Sequence, residues 1–219
     1  MPYRPDGSFP LRTSHHIEHP GVGIPEGVLE MQTLASRIPS ADHLSCGAPD
    51  QHGPFTKMPF STRVFCREGT APTLTELLAW QRQHGTPIMI IGGPAATDLL
   101  SPVWTEAIVS YDPDEEPFAL RCDHASDPRG AERLRAEVAD FLEDLQELPE
   151  SAGRARVMDH LRHARFVLVV EFPEDGVGPR GYETNGWLMS LFAERAGGLV
   201  QCDGIGFYDE NDEIILRLG

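Results

Sequence analysis

The chain has 219 residues, 40% of them apolar and 24% charged, with four cysteines and a formal charge of −16. A chain of that size can bury a core without metal or disulfide staples. It has no run of 18 apolar residues, which excludes a membrane-spanning helix, and its start, MPYRPDGSFPLRTSHH, lacks the apolar stretch of a secretory leader, so a cytoplasmic protein is expected.

Residues 1–60 hold nine of the nineteen prolines. Proline removes a backbone donor and breaks regular elements, so these residues read as an irregular arm that packs on the domain or wraps a partner. Only IPEGVLEMQTLASRI (24–38) has the spacing of a short helix, with Pro25 in its first turn.

Regular periodicity begins beyond the arm, and residues 61–219 are expected to form a single domain. TRVFCR (62–67) reads as a strand. PTLTELLAWQRQHG (72–85) reads as a helix, with a capping box at Thr73 and Glu76 and Gly85 closing it. PIMII (87–91) is a short continuous apolar run, suited to a buried strand. TEAIVSYD (105–112) and PFALRCD (117–123), joined by PDEE, read as a hairpin. Asp127 and Pro128 open a long helix to residue 148, whose stripe is Leu134, Val138, Phe141, Leu142, Leu145 and Leu148. RARVMDHLRHA (154–164) groups Val157, Met158 and Leu161 on one side of a second helix. FVLVVEF (166–172) is the strongest strand, TNGWLMSLFAERAG (184–197) a helix, and GLVQCDG (198–204) and EIILRL (213–218) are strands.

Strand–helix–strand–strand thus occurs twice, over 62–123 and 166–218. The pattern predicts an α+β domain with a mixed central sheet and helices on one face. The aromatic set Trp80, Trp104, Trp187, Phe192, Phe207 and Tyr208 reads as core.

Charge restricts the partners. A nucleic-acid surface needs clustered basic residues, but the chain has eighteen, only Lys57 a lysine, against 34 acids. Residues 112–150 hold thirteen acids and four arginines, so −9 of the −16 falls there. That excess serves solubility or attracts a basic partner.

Motifs for specific chemistry mostly fail. The closing stretch GGLVQCDGIGFYDENDEIILRLG lacks the glycine and terminal Glu that a calcium loop needs, and GIGFYD leads to a strand rather than the helix of a dinucleotide loop. It reads as a hairpin turning at DEND, with Gly204 and Gly206 at a bulge or bend. The glycine pair in IMIIGGPAATDLL reads as a phosphate cradle or a turn leaving the sheet; no Walker pattern follows it. His15, His16, Glu18 and His19 are candidate metal ligands in a proline-rich context, and His160 and His163 lie three apart on a helix, but neither has a specific ligand pattern. No C-x-x-C pair occurs, so Cys46, Cys66, Cys122 and Cys202 are expected to be free thiols. Carboxylates at Glu171, Asp203 and Asp209, beside Tyr208, could converge at one end of the sheet as hydrolase acids do.

NGWLMSLFAERAGGLVQCDGIGFYDENDEIIL (185–216) resembles the immunity-type α+β proteins of bacterial polymorphic-toxin systems. The shared features are a Trp-bearing helix, a Gly-Gly cap, a strand, then DGIGFYD and a final strand. The resemblance implies tight binding to a toxin without catalytic residues.

The expectation is a cytoplasmic, non-enzymatic binding protein of immunity or antitoxin type. It would neutralise a basic toxin domain through Glu137, Asp140, Glu143, Asp144 and Glu147 on the acidic helix. The alternatives are a hydrolase using Glu171, Asp203, Tyr208 and Asp209 at the sheet edge, or an accessory subunit docking through its N-terminal arm. No cofactor, metal, nucleic acid or membrane partner is expected.

Overall fold

The computed structural model describes residues 60–218 apart from 95–97, 175, 210 and 212. All of the arm except Phe60 therefore lies outside the described residues, including the helix expected over 24–38 and the histidines at 15, 16 and 19.

The elements in chain order are β1 (Ser61–Cys66), α1 (Leu74–Gln83), β2 (Met89–Gly92), β3 (Glu106–Ser110) and β4 (Phe118–His124). There follow α2 (Pro128–Glu147), α3 (Ala152–Arg162), β5 (Phe166–Glu171), α4 (Pro179–Ala196), β6 (Gly198–Cys202), β7 (Gly206–Tyr208) and β8 (Ile214–Arg217). The strands form one eight-stranded sheet in the order β2-β3-β4-β5-β1-β6-β7-β8. The α+β class is as expected.

Two finer expectations are corrected. Every strand pair is antiparallel, so the sheet is not mixed. The helical connection β5–α4–β6 does join strands that run the same way, but β1 is inserted between them and pairs with both. Likewise β3, β4 and β5 separate β1 from β2. The helices also cover both faces rather than one. Val64, Cys66, Leu168, Val170 and Val200 pack with α1 and α4. The alternate residues Phe65, Val167, Val169, Leu199 and Phe207 pack with α2 and α3. Strands apolar on both alternations need cover on both sides.

The two strand–helix units are not a structural repeat. In the first, the strand after the helix, β2, is the outer edge; in the second, the corresponding β6 is next to the centre.

Local signals explain the helix ends. The Thr73 hydroxyl accepts from Glu76 N at 3.1 Å while Thr73 N donates to Glu76 Oε2 at 2.8 Å, the reciprocal cap read from the sequence. An Asp127 carboxylate oxygen accepts from Gly130 N at 2.6 Å and opens α2. Helix α4 starts at Pro179, five residues before the expected start, because a proline in the first turn is preorganised for the helix.

The closing stretch makes two tight reversals. Strand β7, missed in the sequence, pairs with β6 and β8. Asp209 Oδ1 accepts from Asn211 N at 2.9 Å and Glu213 N at 3.2 Å, which shapes the second turn. At Gly206, with φ at +149°, a Cβ would meet Leu216 O at 2.1 Å, so only glycine allows β7 and β8 to approach.

PIMII is corrected from a buried strand to an edge. Ile88 and Ile90 turn inward, but Met89 and Ile91 are 60% and 58% exposed. Of the expected aromatic core, Trp104, Phe192 and Phe207 are buried, while Trp80, Trp187 and Tyr208 are half-buried.

Cys66 and Cys122 are free and buried, as expected. Cys202 is corrected: it is disulfide-bonded. Scattered spacing carried no pairing information. Alkylation in denaturant without reductant, followed by peptide mapping, should label Cys66 and Cys122 and leave Cys202 unlabelled until reductant is added. Full labelling of Cys202 at the first step would contradict the bond.

Candidate functional site

Polar residues interrupt the apolar face beneath α2. Gln201, Arg63, Val169 and Arg121 stand in register across β6, β1, β5 and β4. Two of the four are arginines on central strands, where an unpaired charge would be costly.

Each arginine is held by carboxylates. Arg121 ion-pairs with Asp123 on its own strand. Arg133 of α2 reaches the other oxygen of Asp123 at 2.6 Å. Glu137, also of α2, pairs with Arg63 and lies 3.5 Å from Arg121. Arg63 extends to Asp203 at 2.6 Å and donates to Gln201 Oε1 at 3.0 Å. Arg121 has Glu171 at 3.8 Å. The Arg63 guanidinium also lies over the Phe141 ring, 5.4 Å from its centroid. The Asp123 side chain is fully enclosed.

The network redistributes the residues expected to act. Glu137, expected to bind a partner, turns its carboxylate toward the sheet, where it pairs with Arg63 and Arg121. It stands three residues after Leu134 and four before Phe141, which puts it on the packed side of α2. Asp140, Glu143, Asp144 and Glu147 are exposed, and their carboxylates have no ion pair among the described residues.

The candidate catalytic carboxylates do not all converge. Glu171 and Asp203 flank Ser61: Glu171 is its register partner on β5, and Asp203 Oδ2 accepts from Ser61 N at 3.0 Å and Oγ at 2.8 Å. Asp209 lies toward the opposite end of the sheet, because β7 runs back along β6. Asp209 pairs with Arg156 at 3.3 Å besides shaping its own turn. Burial raises the pKa of the neighbouring Tyr208 phenol, with Arg217 pulling the other way. Both oxygens of Asp203 are engaged, one by Arg63 and the other by Ser61. These contacts clamp Asp203 to β1.

Other chemistry-bearing groups also have partners within the fold. His124 Nε2 is 3.3 Å from Cys122 Sγ, but burial pushes the thiol well above and the imidazole below their ordinary values. That is the reverse of an activated thiolate pair. A cleft of about 600 Å³ is lined by Arg67, Asp159 and His160, with no serine, threonine or cysteine on its walls. His160 Nε2 is taken by Phe65 O at 2.7 Å, and His163 Nδ1 by Asp159 O at 2.8 Å, so the two rings serve different partners. At Gly93, with φ at +116°, a Cβ would meet Glu106 O at 2.6 Å: this glycine serves the approach of β2 to β3. Among the described residues, no group of three His, Cys, Asp or Glu side chains is placed to hold a metal ion. Among the same residues no helix is long and apolar enough to cross a membrane.

Sequence reasoning missed Arg63, Arg121, Asp123, Arg133 and Gln201. The signal was present: TRVFCR and PFALRCD each carry an arginine inside an apolar strand. No family model matches the chain, and neither a curated protein nor a solved structure matches it.

Replacing Asp123 with Ala would strand Arg121 and Arg133 without their enclosed partner. The expected loss is roughly 3 kcal/mol of unfolding free energy in urea, the low end for a broken buried pair because both arginines keep some water. A loss below about 1 kcal/mol, the scale of an exposed pair, would contradict the clamp.

Acid should also weaken the fold. Burial holds His124 and His160 below the ordinary 6.5, against the pull of Asp123 and Asp127 on one and the Phe65 carbonyl on the other. Their folded values are depressed, so the unfolded chain takes up protons first. Their stabilising contribution is complete above pH 6.5 and is lost as pH falls from there through the folded-state values. Replacing both with Asn should shrink the difference in melting temperature between neutral and mildly acidic buffer; an unchanged difference would refute this assignment.

Proposed function

We propose that this chain is a non-enzymatic binding protein of immunity or antitoxin type, which neutralises a basic partner through the outer face of α2. The observation that carries the reading is the division of the carboxylates. Asp123, Glu137, Asp203 and Asp209 are held by arginines of the same chain. Asp140, Glu143, Asp144 and Glu147 are exposed on one helix. Such a face attracts a basic protein and speeds its docking.

The carboxylates that motivated a hydrolase reading, Asp203 and Asp209, are occupied by structural contacts, which favours binding over catalysis.

The test uses the immobilised full chain to recover its partner from the native host, followed by kinetics on the purified pair. Reversing Asp140, Glu143 and Asp144 to Lys should leave the melting temperature unchanged, because these positions lie off the packed stripe. It should cut the association rate by about tenfold or more at low salt, with the gap closing as salt screens exposed charge. A triple variant that associates at the wild-type rate in low salt would rule this interface out.

A further inference from the structure

Among the described residues, strand β2 ends the sheet and pairs only with β3. Its outer backbone groups have no recorded hydrogen bond among the described residues. The register shifts between Ile90 and Gly92, which leaves Ile91 without a cross-strand partner. Five large apolar side chains are exposed in the described chain, and four of them, Met89, Ile91, Leu100 and Val103, belong to β2 and its connection to β3. An edge strand is a template for strand addition; β2 is short, bulged and bracketed by Pro87 and Pro94, but it lacks the charge that most directly blunts an edge. The opposite edge, β8, carries Arg217; MIIG of β2 carries no charge.

The electrostatics choose the occupant. From Gly85 to Leu120 the chain has no Lys, Arg or His, while it has six acids. Asp112 is neutralised by Arg180 at 3.2 Å and Glu115 accepts from Gly178 N at 3.3 Å. Glu106, Asp114 and Glu116 are exposed and have no ion pair among the described residues. A second copy would bring the same acids against this edge and is disfavoured by like charge.

We infer that the β2 edge is a second docking surface, one that takes an extended polypeptide segment with apolar side chains at alternate positions and basic residues between or beside them, added to the sheet as a ninth strand. Main-chain hydrogen bonds would supply affinity; the apolar patch and acidic rim would select the sequence. The inference is independent of the α2 face and holds whether or not that face binds.

Fluorescence polarisation with three labelled ten-residue peptides tests it on the full chain: alternating Val–Lys, Val–Glu and Ser–Lys. The Val–Lys peptide should bind at least tenfold more tightly than either of the others. Met89→Lys with Ile91→Lys, at exposed positions, should reduce that binding at least tenfold without lowering the melting temperature. The triple reversal on α2 should leave it within about twofold. If Ser–Lys binds as well as Val–Lys, charge alone is responsible and the inference fails. It fails equally if the α2 reversal removes binding while the β2 variant keeps it. Sedimentation showing a wild-type dimer that the β2 variant dissolves would assign the edge to a second copy and overturn the proposed occupant.

Discussion

Helix α2 is held to its sheet by charge as well as by apolar packing, and the outward face of that helix follows from this clamp. Asp123 is fully enclosed and bridges Arg121 on the sheet to Arg133 on the helix. Glu137 returns the connection from the helix to Arg63 and Arg121. Leu134 and Leu145 bury the same helix against Phe65, Val167 and Phe207. Apolar packing is tolerant of small rotations, whereas paired ions with defined donors are not. The helix is therefore fixed in rotation, and its remaining carboxylates point away from the sheet.

This arrangement has an energetic logic. Buried ion networks often contribute little net stability compared with apolar packing, yet removing one partner is costly. Here, in our reading, their value is positional. Acids left on the outside repel one another and slightly destabilise the compact state, a cost that a basic partner would relieve on binding. Among the described residues the outer edge of β2 is a comparable liability, since an apolar strand edge is exposed to unwanted association. In the reading proposed here, both liabilities are binding features.

Much of the fold was legible because its signals are local. Thr73 and Glu76 announced α1, Asp127 and Pro128 announced α2, and FVLVVEF stood out as the strongest strand. What escaped were relations between distant segments. No spacing rule places β1 between β5 and β6, which is what turned an expected mixed sheet into an antiparallel one. Strand β7, with three residues, is too short for periodicity to register. At the site, Asp140, Glu143 and Asp144 were readable as outward from helical spacing alone. Helical spacing left Glu137 at the edge of the stripe, and its pairing with the arginines of β1 and β4 was not legible in the sequence. The disulfide at Cys202 likewise depends on which segments meet in space.

The clamp is tested most directly by a double-mutant cycle between Asp123→Asn and Arg133→Met, measured by urea unfolding at low salt and again in 1 M salt, where the screening length is about 3 Å. An enclosed pair that fixes α2 should show a coupling energy above about 1 kcal/mol that largely survives the added salt. Coupling near zero, or coupling that disappears on adding salt, would mean that the pair behaves as an exposed contact and that apolar packing alone orients the helix.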